Sequence, residues 1–249
     1  MKKQILDSFL LSLLLIFIIS FPLELLITDV LSYYLITIGL RLILLLYYYF
    51  AIRRTNRKII GVGIKKEMLF MIPCFLITFS NFSLFLIYPN NISFASFEMN
   101  KYIYFEFIID LLTAILEEIV FRFYFHNMLR ISNRLVRIIA SAGIFAAFHL
   151  LNFVSTFDPT TLITVVYTFG LGIILGFIYE FSNSLPLSIL FHFLFNSVNG
   201  TLFDSIALFN SEMLIAYYVC NIVVAVIVGL YLLFLFLFRY KKVNHLYFY

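Results

Sequence analysis

Apolar residues fall in runs of about twenty, the length that crosses a bilayer as a helix, and short polar stretches separate them. Eight runs stand out, at approximately 8–28, 30–52, 68–88, 104–127, 135–152, 161–180, 185–199 and 213–238. The seventh is short, with Pro186 placed to occupy a first helical turn, and reads as a partial or tilted helix. The pattern predicts an all-α fold: a polytopic membrane bundle of about eight helices, one domain over 1–249, with a buried polar cavity. The run 8–28 is long enough to span and is followed by no small-residue cleavage site, so it reads as a retained helix and not a signal peptide.

Charge sets the expected orientation. All Lys and Arg except Arg41, Lys101 and Arg122 fall on one side of an eight-span arrangement. They lie before the first span, between the second and third, between the fourth and fifth, and after the eighth. The positive-inside rule then places both termini in the cytoplasm. The net charge of +4 is thus an orientation signal and gives no basic face for nucleic acid. Composition agrees: the chain is 63% hydrophobic and 12% charged, with a mean hydropathy of +1.05, against about 25% charged in soluble domains. Cys74 and Cys220 both lie in apolar runs and read as packing residues.

Against this background the intramembrane polar residues carry the chemistry. The fourth run holds AILEEIVFRFYF, with Glu117, Glu118 and Arg122 together. A charge at mid-membrane costs roughly 2.5–3.5 kcal/mol on insertion scales, so three in one span point to function. Glu118 and Arg122 are four apart and share a helix face, so they can pair. Glu117 lies about 100° around the helix and needs another partner. The fifth run holds His149 and Asn152, and the seventh holds His192 and Asn196, again four apart. Counting the helical rise from the inner ends puts Glu117, His149 and His192 at depths of roughly 10–16 Å, within reach of one cavity. Glu106, Asp110 and His126 sit nearer the ends of the fourth run and read as interfacial; Arg41 is left to snorkel or pair.

A carboxylate in a dry cavity can serve as a general base near neutral pH. An imidazole can help it activate water, and a second His with an Asn amide can hold an oxyanion. These are the parts of a hydrolase without a Ser or Cys nucleophile. HExxH is absent. No cofactor is required, although a divalent metal such as zinc would suit Glu117, His149 and His192 as an alternative ligand set.

EEIVFR, FAAFH and HFLFN resemble, in order and spacing, the EExxxR, FxxxH and HxxxN/B motifs of the CPBP family, the type II CAAX protease and bacteriocin-processing (Abi) group. The motif core covers about 104–200. The resemblance implies a glutamate-dependent intramembrane endopeptidase. Glu117 would be the base with His149 assisting, His192 and Asn196 would form the oxyanion site, and Glu118 and Arg122 would be a supporting ion pair. The implied substrate is a membrane-associated peptide or a lipid-anchored protein. The setting would be a bacterial cell membrane, with roles in peptide or bacteriocin maturation or in self-immunity. A non-catalytic bacteriocin-immunity or scaffold protein is the alternative. A transporter would call for inverted repeats with broken helices, which the sequence does not display.

Overall fold

The computed structural model describes residues 26–53, 72–94, 101–126, 131–156 and 160–244, with backbone alone at 151–156, 160–161 and 239–244. Most of the predicted first span and the basic stretch 54–66 lie outside the described residues. Within them the chain is all helical, apart from one isolated antiparallel bridge between Ile92 and Ala207.

Helix α1 spans Val30–Arg53, and Asp29 accepts a hydrogen bond from the Ser32 backbone N–H at 2.8 Å at its start. A shorter composite follows. It comprises α2 (Ile72–Leu76), a 3₁₀ segment (Ile77–Ser83) and α3 (Leu84–Ile87). Helix α4 (Ile103–Glu118) runs without a break into a first π-helical segment, Ile119–His126. Next come α5 (Arg134–Thr156), α6 (Thr160–Ser182) and α7 (Leu185–Leu194), and α7 continues into a second π-helical segment, Phe195–Leu202. The short α8 (Phe203–Ile206) and the long α9 (Ser211–Asn244) complete the described chain.

Local sequence explains the punctuation. Asn133 caps α5, its Oδ1 accepting from the Leu135 and Val136 N–H groups at 3.0 and 3.3 Å. Asn183 adopts φ 49° between α6 and α7, a left-handed turn that Asn tolerates better than most residues. Ser184 then caps α7, accepting from the Leu187 N–H at 3.3 Å, and Pro186 sits in the first turn.

Among the described residues, four helices are long and apolar enough to cross a membrane: Val30–Arg53, Leu162–Ser182, Leu185–Ile206 and Ser211–Phe238. The chain is a multi-pass integral membrane protein. Its surface is apolar where a soluble protein's would be polar; Val226, Ile227, Leu230, Phe234 and Phe238 of α9 are each 54–66% exposed. Four of the eight expected spans register by this measure among the described residues, and most of the first expected span lies outside them. Ile103–His126 is long enough, but it carries Glu106, Asp110, Glu117, Glu118 and Arg122, the charges that form the polar interior. The expected span at 68–88 is broken into short pieces. The run at 185–199, expected to be short, instead continues through the π segment to Ile206.

The interior is held by three apolar clusters, the smallest of which groups Leu84, Phe203, Ala207 and Met213. Of the larger two, one joins Leu44, Tyr48 and Ile52 of α1 to Leu116, Val120, Phe121, Tyr124, Phe145 and Leu185. The other joins Cys74 and Ile77 to Ile138, Ile174, Phe191 and Val228. Helices α5 and α6 pack closely because a Cβ at Gly172 would lie 3.0 Å from the Ala142 Cα, and one at Gly176 would lie 2.9 Å from the Ile138 Cγ2. Small residues at such crossings let membrane helices approach to van der Waals contact. Helices α1 and α4 run in parallel, with two polar rungs one heptad apart. Tyr34 Oη donates to Glu106 Oε1 at 2.7 Å, and Arg41 Nε donates to Thr113 Oγ1 at 2.9 Å.

Candidate active site

Glu117 and Glu118 lie at the junction where α4 becomes π-helical. A π segment adds a residue to each turn and is frequent at functional sites. The carbonyl of Phe121, inside the widened turn, accepts from Ser141 Oγ at 3.1 Å, so the neighbouring helix α5 supports the distortion.

Glu118 is fully buried and has three partners. Arg122 Nε lies 3.4 Å from its Oε2, Ser188 Oγ donates to Oε2 at 2.5 Å, and His192 Nδ1 lies 3.1 Å from Oε1. The sequence placed Glu118 in an ion pair with Arg122. The structure adds Ser188 and His192, so this carboxylate also orients the imidazole. A carboxylate acceptor at Nδ1 fixes the proton there and turns the other nitrogen, Nε2, outward. His192 Nε2 faces Glu117 Oε2 at 3.5 Å. Glu117 is the more open of the two acids, with 19% of its side chain exposed against none for Glu118. The partner that Glu117 required by its position on the helix is therefore His192, brought in on α7.

Arg122 is completely buried. Besides Glu118, its Nη2 donates to the Gly172 carbonyl at 3.4 Å, and its guanidinium lies over the Phe145 ring at 5.2 Å. Phe145 is the hub of the second motif. Its ring centroid lies 5.0 Å from that of His149 and 5.9 Å from that of His192.

His149 Nδ1 donates to the Phe145 carbonyl at 3.0 Å. A carbonyl can only accept, so the neutral ring carries its proton on Nδ1 and presents a lone pair at Nε2. His149 thus joins the cluster through Phe145. Among the described residues, no three His, Cys, Asp or Glu side chains converge as metal ligands would, so the alternative set of Glu117, His149 and His192 is not assembled in this arrangement. Asn196 stands one turn beyond His192, in the wall of a polar cavity that also takes in Asp110, Asn199 and Asn221. The side chain of Asn152 lies outside the described residues.

Three expectations change. Glu106 and Asp110, read as interfacial, face the interior: Glu106 accepts from Tyr34, and Asp110 Oδ2 accepts from Ser197 Oγ at 3.2 Å and Thr201 Oγ1 at 2.8 Å. Arg41, for which snorkelling and pairing were both open, is bound by Thr113 and by the Thr37 carbonyl at 3.2 Å. His126, also read as interfacial, is 1% exposed, and its Nε2 lies 2.8 Å from Glu180 Oε1. Arg137 also pairs with Glu180, and Arg134 approaches it at 4.0 Å.

Sequence reasoning missed Ser188 and Glu180. Ser188 precedes His192 by four residues, the same-face spacing that linked Glu118 to Arg122, and that signal was available. Glu180 closes the sixth apolar run at the end that faces Arg134 and Arg137.

Residues 100–198 match the model of the type II CAAX prenyl endopeptidase Rce1-like family. This segment is an Rce1-like domain. It takes in Glu117, Glu118, Arg122, His149, His192 and Asn196, and leaves α1 and α9 outside. No curated protein and no solved structure matches the chain. The Rce1-like family consists of CAAX-type proteases.

Proposed function

We propose that the chain is an intramembrane endopeptidase that uses a glutamate-activated water to cut a peptide bond in a membrane-associated peptide or a lipid-anchored protein. One observation carries the reading: His192 is held at Nδ1 by buried Glu118 while its Nε2 faces the more open Glu117. A carboxylate–imidazole–carboxylate row of this kind can store and move a proton inside a low-dielectric site.

In this reading Glu117 takes a proton from water as the water oxygen attacks the scissile carbonyl carbon. The carbonyl π bond breaks and leaves a tetrahedral oxyanion. The proton passes to His192 Nε2, and Glu118 stabilises the resulting imidazolium at Nδ1. The imidazolium and the Asn196 amide then face the oxyanion as donors. As the C–N bond breaks, the proton goes to the departing amine and the carbonyl re-forms. His149, with its lone pair at Nε2, orients the water by accepting its second hydrogen. Arg122 balances Glu118 and keeps the row from carrying two uncompensated charges. The substrate is a peptide processed in the membrane of a bacterial cell, with both of the enzyme's termini on the cytoplasmic side.

The test uses purified full-length protein in lipid nanodiscs with a pool of membrane-anchored peptides, and mass spectrometry to find new termini. In ¹⁸O-water the wild type should yield products with one ¹⁸O in the new carboxylate. E117Q and H192Q should yield none while remaining folded. Cleavage that persists in both variants would overturn the reading.

A further inference from the structure

On the same side of α4 as Glu117, a cavity of about 280 Å³ opens between α4, α6, the second π segment and α9. Its volume is far larger than a bare ion requires. Its walls are polar. Asp110 lies inside and Asp204 at the exposed mouth, with Asn196 and Thr201 between them, and Tyr167 and Tyr217 also line it. Among the described residues that line it there is no Lys, Arg or His. Asp110 Oδ2 is taken by Ser197 and Thr201, and those two hydroxyls fix the carboxylate against the wall.

The cavity is continuous in register with the candidate active site. Asp110 precedes Glu117 by seven residues, two helical turns on one face, or about 10 Å along the axis at 1.5 Å per residue. Asn196 belongs to both: it follows His192 by one turn and lines the cavity. An extended peptide advances about 3.3 Å per residue, so a chain whose scissile bond lies at Glu117 reaches the cavity about three residues away.

Building on the peptidase reading, we infer that this cavity is a substrate subsite that takes the cationic side chain, Lys or Arg, of a peptide residue about three positions from the cleaved bond. Two carboxylates, with no basic side chain in the described lining, supply the countercharge. The amide and hydroxyl oxygens supply further acceptors, and the faces of Tyr167 and Tyr217 suit an ammonium or guanidinium through cation–π attraction. The volume admits a side chain with its methylene stem, which a bare ion would not fill. A neutral polar residue would leave the carboxylates unmatched, and an acidic one would be repelled.

The experiment measures binding separately from cleavage. Full-length protein carrying E117Q, in nanodiscs, is titrated with fluorescent Ala/Leu nonapeptides in which one position at a time is Lys, Arg, norleucine or Glu, read by anisotropy. Lys or Arg at one position should tighten binding at least tenfold over norleucine, and Glu should weaken it. D204N, at the exposed mouth, should bring the Lys advantage to within about threefold. Adding D110N should erase it, with melting temperature recorded for each variant. Equal affinity for Lys and norleucine at every position would overturn the inference, as would a Lys preference that survives both substitutions. So would Ca²⁺ alone raising the melting temperature through Asp110 with no Lys preference, or free lysine amide binding as tightly as the peptide. If the preference holds but wild type cleaves none of the peptides, the subsite stands and the peptidase reading falls.

Discussion

Two polar clusters in this molecule are built from the same kinds of side chain. One groups Glu117, Glu118, Arg122, Ser188 and His192; the other groups Glu180, His126, Arg134 and Arg137. Each sets an imidazole against a carboxylate and an arginine, and each joins the α4 rod to a later helix. The ratio of acid to base separates them. Around Glu180, one carboxylate meets two arginines and a histidine, so its oxygens are saturated. Around His192, two carboxylates share one arginine and one imidazole, so one acid is left without a full partner. A saturated carboxylate ties helices together. A carboxylate in excess beside an imidazole retains the capacity to accept a proton. In the proposed function, the Glu180 cluster therefore serves stability and the Glu117 cluster serves chemistry.

The largest expected break comes from E117Q. It removes the surplus acid without disturbing Glu118, Ser188 or Arg122. General bases are worth about 10²–10⁴ in rate, so cleavage should fall by about 10³ while the melting temperature stays within a few degrees. Kinetics and a thermal melt of the same nanodisc sample check both halves.

Next is E118Q, which should lower both. It replaces the charged acceptor of His192 Nδ1 with a neutral amide and removes the Glu118 charge beside buried Arg122. Breaking a buried pair by removing one partner costs roughly 3–5 kcal/mol, and cleavage should fall by about 10². Loss of activity with unchanged stability would show that Arg122 does not depend on Glu118.

E180Q should invert that pattern. Hydrogen bonds to charged groups contribute about 1.5–3 kcal/mol each, so stability should drop by roughly 2 kcal/mol while the cleavage rate below the melting transition stays within about threefold. Denaturant melts beside initial rates provide the check.

S188A should give the smallest change. It removes one donor to Glu118 Oε2 and should slow cleavage by about tenfold, with S188T restoring most of the rate. A uniform loss of stability with no rate effect would instead make Ser188 a packing residue.

Much of this was readable from the sequence. The helix at 103–126 and the coincidence of its acids with His192 followed from twenty-residue apolar runs broken by charges that lipid disfavours. Spacing of four named Glu118–Arg122 and pointed Glu117 elsewhere. Sequence could not tell that Glu118 serves His192 as well as Arg122, because that contact depends on how α7 packs against α4. The π-helical turns after Glu118 and Leu194 were also hidden: one extra residue per turn leaves no mark in an apolar pattern. Asp110 and Glu106 were misplaced because a residue near a run's end looks interfacial when its partners, Thr201 and Tyr34, lie some seventy to ninety residues away. The helix that carries the site does not register as a span by hydropathy, because the charges that serve the site lower its apolar score.

The central claim is that Glu117 does chemistry while Glu180, in a cluster of the same kinds of side chain with the acid-to-base ratio reversed, does not. The direct measurement is the single-turnover cleavage rate of E117Q and E180Q, side by side in nanodiscs, at a temperature where both are folded. A rate for E117Q at least a hundredfold below that for E180Q, with E180Q the less stable of the two, is the predicted result. Equal rates, or a slower E180Q, would contradict the account.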